Sequence, residues 1–366
     1  MKQLLKEGIN YFDENFRIQL APTALGFLRQ LDGLSIFDIK GVDQSRTRVI
    51  TTLIHGNEPS GFIASHWWLR NDEIPATNIR IIICNPEVAQ TKPKFSNRYL
   101  AHKEDLNRSF SASAEDISEI AVRARQIKQA VAEVHPEAVI DLHNTSGAGP
   151  AFGVILADDE HTLDLVSLFT NKLILTGLTV GSIMEQSFNA PFATIECGGA
   201  NEMSSHQVAK DGLHKFVSKE FIFDNHARQV AIYRNPLRIE LVGDAAIGFS
   251  HDRLPTTDIT LRADAEKFNR QCIPAGEFIG WCENGQQLPL QAIDEQGEDQ
   301  IDNLIEKNNG SLFAKQTMQL FMVNTDLEIV TNDCLFYATV EESSQKRWKR
   351  PAIAANPRPK DLSKGD

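Results

Sequence analysis

The chain has 366 residues, 42% hydrophobic and 23% charged, a composition that suits a globular protein of about two domains. Its 37 Lys plus Arg stand against 49 Asp plus Glu, and the formal charge of −12 argues against nucleic acid as a partner. No stretch approaches the roughly 18 apolar residues that span a bilayer, the amino terminus has no apolar signal core, and five isolated cysteines read as reduced thiols. A cytoplasmic protein without a membrane partner is expected.

In chain order, residues 1 to about 45 begin as an amphipathic segment, and Leu34, Ile36 and Ile39 mark a first strand. A strand over 47–54 and a helix over 60–70 follow. Residues 79–84 form a continuous apolar run of the kind buried in a parallel sheet. From Pro86 to Phe110 the chain is polar and without period; directly after a strand, this reads as an active-site loop. A long helix opens at Ser113–Asp116 and closes at His135-Pro136. Strands are expected over 138–142, 152–157 and 192–195, with helices over 162–175 and 207–223.

This alternation predicts an α/β fold with a mostly parallel sheet and helices on both faces. Beyond about residue 226 the strand-like segments 237–242, 259–262, 277–281, 312–323 and 334–340 are separated by Gly, Asn, Asp and Pro. The expected division is therefore a catalytic domain over 1–225, a smaller β-rich domain over 226–342, and a basic, proline-containing flexible tail over 343–366.

Three signals fall at strand ends: His55 with Glu58, Asp141-Leu142-His143, and Glu196. Two histidines and a carboxylate suit a catalytic zinc ion, which keeps one position open for water and makes that water acidic enough to attack at neutral pH. Asp141 is read either as a buried carboxylate satisfied by backbone or as a group that orients His143. Glu196 stands apart from the ligand set and reads as a general base. In the polar loop, Arg98 is a candidate for polarising a carbonyl, and Asn107 with Arg108 for clasping a carboxylate.

Taken in order, His-Gly-Asn-Glu (55–58), Arg-Tyr (98–99), Asp-Leu-Asn-Arg (105–108), Asp-Leu-His-Asn-Thr (141–145) and Ile-Glu-Cys-Gly (195–198) resemble the succinylglutamate desuccinylase/aspartoacylase family, within the zinc-carboxypeptidase-like group. The resemblance implies one zinc ion per chain on His55, Glu58 and His143. It implies Arg98 on the scissile carbonyl, Asn107 and Arg108 on a substrate carboxylate, and Glu196 as the base. The implied reaction is hydrolysis of an N-acyl amino acid, a small carboxylate-bearing substrate. A carboxypeptidase acting on short or cell-wall-type peptides and a catalytically silent binding homologue are the alternatives, and a monomer and a homo-oligomer are both compatible. Aspartoacylases place an arginine and a tyrosine shortly before the glutamate, and 181–194 contains neither. They also bring a tyrosine from the carboxyl-terminal domain, and 341–346 holds none. Both differences point away from N-acetylaspartate as the substrate.

Overall fold

The computed structural model describes residues 8–100, 103–224, 230–283, 287–332 and 334–340; the basic tail expected over 343–366 lies outside them. Nine strands build the main sheet: β1 (Ile9–Phe12), β2 (Leu34–Ile39), β3 (Asp43–Thr52), β4 (Thr77–Ile83), β5 (Ala138–Thr145), β6 (Phe152–Ile155), β7 (Lys172–Leu175), β8 (Phe192–Gly199) and β9 (Ala231–Arg234). Their order is β1-β2-β4-β3-β5-β8-β6-β7-β9, parallel throughout except where β2 meets β4 and β6 meets β8. The sheet takes its last strand from just beyond residue 226, where the sequence changes character.

Helices cover both faces, as the alternation requires. On one side lie α1 (Ala24–Leu28), α2 (Ser60–Arg70), α5 (Glu160–Ser167) and α6 (Met203–Ser218), sharing a core with Ile50, Ile140, Leu142 and Ile195. On the other side, α4 (Glu119–Ala132) packs Ala124, Ile127 and Val131 against Val49, Ile82 and Val139. The period of two along β5 therefore sends Ile140 and Leu142 to one face and Val139 to the other. Asp141 and His143 continue the series begun by Val139. The short helix α3 (Pro86–Ala89) opens the long loop, with Pro86 in its first turn, where a missing N–H costs nothing.

Arg48 is fully buried and explains one end of this packing. It pairs with Glu137 at 2.7 Å and donates to the carbonyls of Phe216, Lys219 and Glu220, the unmatched acceptors at the end of α6.

The remainder forms two further sheets. One contains β10 (Leu237–Leu241), β14 (Leu290–Ile293), β17 (Met318–Phe321) and β18 (Phe336–Val340). The other contains β11 (Ile247–Ser250), β12 (Ile259–Arg262), β13 (Phe278–Cys282), β15 (Ile305–Asn308) and β16 (Ser311–Ala314). Both contribute to one apolar cluster that includes Ile239, Leu261, Leu312 and Leu320. This unit meets the main sheet through Phe321, whose ring packs edge-on against Phe152 and Tyr233 at 5.2 and 5.1 Å.

β3 and β5 are neighbours at the centre, yet β4 lies on one side of the pair and β8 on the other. That is a topological switch point, and open α/β sheets bind ligands in the crevice beyond the carboxyl ends of such strands.

Candidate metal centre

The turn after β3 carries His55 and Glu58. Leu53, fully buried, holds φ at 53°, a left-handed conformation uncommon for a leucine. Gly56 follows because nothing larger fits: an added Cβ would lie 2.5 Å from Val88 Cγ1 and 2.8 Å from the Asn97 carbonyl oxygen. The Gly56 N–H donates to the Arg98 carbonyl at 3.0 Å, fastening the long loop over the turn.

Glu58 lies between the two imidazoles. Its Oε1 is 2.8 Å from His55 Nδ1 and its Oε2 is 2.7 Å from His143 Nδ1. The rings meet edge-on with centroids 5.1 Å apart. All three residues are buried, and one ligand atom from each falls within 4.8 Å of the others. The far nitrogens are held by aspartates: His143 Nε2 by Asp141 at 2.6 Å and His55 Nε2 by Asp105 at 3.0 Å. An aspartate behind each imidazole fixes its tautomer and aims the Nδ1 lone pair inward, the arrangement found around metal-bound histidines.

Burial by itself would raise the Glu58 pKa, but the charges of His55 and His143 outweigh it and hold the carboxyl well below its ordinary range. Asp105 is held low in the same way, by His55 and Arg98 against its own burial. For His143 burial opposes the charged form, while Asp141 and Glu58 push its pKa well upward. Two imidazoles and a carboxylate converging on one point make a donor set suited to a divalent cation, which would displace the proton that His143 holds.

Glu196 lies on β8 as the direct register partner of His143. Its Oε2 is buried without a hydrogen-bond partner, and burial lifts its pKa to about 7. Directly beyond, the ladder gains a residue: His143 and Thr145 on β5 pair with Glu196 and Gly199 on β8. Gly198 occupies this bulge at φ +102°, where a Cβ would meet the Gly149 carbonyl oxygen at 2.6 Å.

The loop delivers Arg98, whose Nε donates to Asp105 Oδ2 at 3.0 Å and whose Nη1 reaches Glu58 Oε1 at 3.4 Å. Asn107 and Arg108 lie in a short 3₁₀ turn capped by Asp105. The Asn107 side-chain oxygen accepts from the Ile183 N–H at 3.1 Å, and the Arg108 side chain is exposed and donates to the Asn107 carbonyl. The structure thus gathers His55, Glu58, His143, Arg98 and Glu196 around one centre, with Asn107 and Arg108 at its edge.

Asp141 takes the orienting place behind His143, and its second oxygen accepts from a side chain, Thr51 Oγ1 at 2.6 Å, rather than from the backbone. Two further participants were not singled out from sequence: Asp105 behind His55, and Asn144, whose N–H donates to Glu58 Oε2 at 3.2 Å. Both sit inside the quoted motifs, and motif membership was the signal available for them.

The fold and this site define a carboxypeptidase-like α/β protein with a candidate metal centre at the sheet's switch point. Residues 44–216 match the catalytic domain of succinylglutamate desuccinylase/aspartoacylase, and this segment belongs to that family. Solved structures agree in fold. A succinylglutamate desuccinylase from Vibrio parahaemolyticus superposes with a TM-score of 0.58 at 13% identity, covering 90% of this chain and 98% of that one. One from Chromobacterium violaceum gives 0.54 at 13% identity, covering 88% and 98%. A succinylglutamate desuccinylase/aspartoacylase from Rhodobacter sphaeroides gives 0.53 at 12%, covering 85% and 89%. No curated protein matches the chain.

Proposed function

We propose that the protein is a zinc-dependent hydrolase that cleaves the amide bond of an N-acyl amino acid. The observation that carries this reading is the convergence of two aspartate-backed imidazoles and Glu58 beside Glu196, whose Oε2 is buried and unpartnered. His55, Glu58 and His143 would hold the ion, which supplies Lewis acidity and lowers the pKa of water from about 15.7 to about 7.

The protein's own groups divide the remaining work. Glu196, poised near neutrality, takes the proton from the attacking water and returns it to the leaving amine. Arg98, anchored by Asp105, places its positive charge beside the oxygen that becomes negative as the carbonyl carbon turns tetrahedral. The Asn107 amide and the exposed Arg108 guanidinium bind the substrate carboxylate at the rim. The same reading keeps 1–225 as the catalytic unit, completed by β9, and 226–342 as the β-rich unit. Four of the five cysteines are buried, which suits a reducing, cytoplasmic setting, and among the described residues no helix is long and apolar enough to cross a membrane.

Zinc content of the purified protein, with and without His143→Ala, tests the reading together with amine release from a panel of N-acyl amino acids and short peptides. Near-stoichiometric zinc, lost in the variant, and turnover of acyl amino acids are expected. Release from peptides alone would transfer the assignment to a carboxypeptidase, and absence of any divalent metal would sink it.

A further inference from the structure

We infer that Asn144 is a positioning residue that locks the Glu58 turn to the end of the Glu196 strand. The inference rests on the function proposed above for its catalytic consequence, and on geometry alone for the lock itself.

Asn144 follows His143 on β5 and is 2% exposed. Its side chain makes three hydrogen bonds, and none goes to its own strand. Nδ2 donates to Ser60 Oγ at 2.8 Å and to the Gly198 carbonyl at 2.7 Å, and Oδ1 accepts from the Ser60 N–H at 2.9 Å. Ser60 is the first residue of α2, two positions after Glu58; Gly198 is two positions after Glu196. One amide therefore bridges the two segments that carry Glu58 and Glu196. Its backbone N–H adds the bond to Glu58 Oε2. Because Ser60 Oγ accepts from Asn144, its own proton goes to His206 Nδ1, 2.8 Å away on α6. The chain of bonds thus has one direction and one tautomer.

No other residue type reproduces this. Aspartate matches the shape but has no donor, so both the Gly198 carbonyl and Ser60 Oγ would face a carboxylate oxygen. Alanine leaves the buried Gly198 carbonyl and the Ser60 N–H without this partner, and partners that orient a metal site typically matter 10–100-fold.

The test compares wild type, Asn144→Asp and Asn144→Ala by hydrogen exchange of the metal-free full chain, then by kcat and KM with zinc bound. Faster exchange is expected at both 56–61 and 197–200, with kcat lowered about 10–100-fold and KM within about threefold. Exchange altered in one segment only, or in neither, would overturn the lock; kcat within about twofold would overturn the positioning role. Should the Asn144 variants not fold, Ser60→Ala removes only the hydroxyl and its two bonds, to Asn144 and His206, and faster exchange at 56–61 together with lowered kcat is then required. If the wild type hydrolyses nothing, the proposed function fails, while the exchange result still decides whether the two segments are coupled.

Discussion

His143 and Glu196 stand directly opposite each other on adjacent parallel strands. Neighbouring side chains at one level of a parallel ladder leave the sheet on the same face, so a ligand candidate and a base candidate are placed together by strand pairing alone. Glu196→Gln should keep zinc occupancy and lower kcat by about 10²–10⁴-fold, measured on whichever acyl amino acid the wild type hydrolyses. Retained turnover would remove Glu196 from the chemistry.

The same carboxyl has a stability consequence. Its pKa is raised to about 7 in the folded, metal-free protein by burial, from an ordinary value of 4.5. The folded state therefore holds this proton more tightly than the unfolded one. The resulting stabilisation is fully present below about pH 4.5 and is lost as pH rises through about 7, with an upper bound of about 3 kcal/mol. Metal-free wild type should lose stability across this window relative to Glu196→Gln in urea titrations at pH 5 and pH 8. Parallel stability curves for the two proteins would contradict it.

Metal uptake should depend on pH in the opposite sense. In the metal-free site Asp141 and Glu58 hold a proton on His143 against its burial, and a cation must displace it. Zinc affinity should therefore rise with pH by about tenfold per unit while one proton is released. Asp141→Asn and Asp105→Asn should each weaken zinc binding by about 10–100-fold, read by competition with a chelator.

The two loop arginines should separate kinetically. Arg98 is tied to Asp105 and Glu58 inside the site, so Arg98→Lys should lower kcat by about 10²-fold or more. Arg108 is exposed at the rim, so Arg108→Ala should chiefly raise KM. The reverse pattern in steady-state kinetics would exchange their roles.

Gly147 lies where the loop after β5 touches the β-rich unit, and an added Cβ would approach the Val323 carbonyl oxygen to 2.2 Å. Asn269 holds the same contact: its Nδ2 donates to the Ala148 and Val323 carbonyls and its Oδ1 accepts from the Val323 N–H, at 2.7–2.9 Å. Gly147→Ala should cost about 1–3 kcal/mol, seen as a lowered Tm. An unchanged Tm would mean that the two units separate freely.

Much of this was legible in the sequence because period and punctuation agree with tertiary packing there. The helix expected over 60–70 is α2 residue for residue, and the strand over 259–262 is β12. The helix expected over 162–175 instead ends at Ser167, and Lys172–Leu175 is strand β7. A three-residue apolar run, Leu173–Leu175, suits either state, and only its pairing with β6 and β9 decides. The helix opening placed at Ser113 moves to Glu119 because Ser118, not Ser113, caps the first turn. The segment 312–323 divides into β16 and β17, which pair with different sheets. β11, β14 and β15 are short strands that gave no sequence signal strong enough to place them. The histidines and carboxylates of the site stood at strand ends and were visible as such. Asp105 and Asn144 act across distances of 50 and 54 residues, on His55 and Gly198, which no local pattern encodes.

The bulge on β8 shifts the phase of the ladder. Up to Glu196 the two strands advance together; beyond it β8 has spent one residue more than β5 to reach the same height. That offset puts a carbonyl, rather than a side chain, opposite the Asn144 amide. Deleting either Gly198 or Gly199 would bring the strands back into step, leaving His143 and Glu196 side by side but with the segment above them indexed to the wrong neighbour. Length, at this one point of the chain, is as much a part of the site as residue identity.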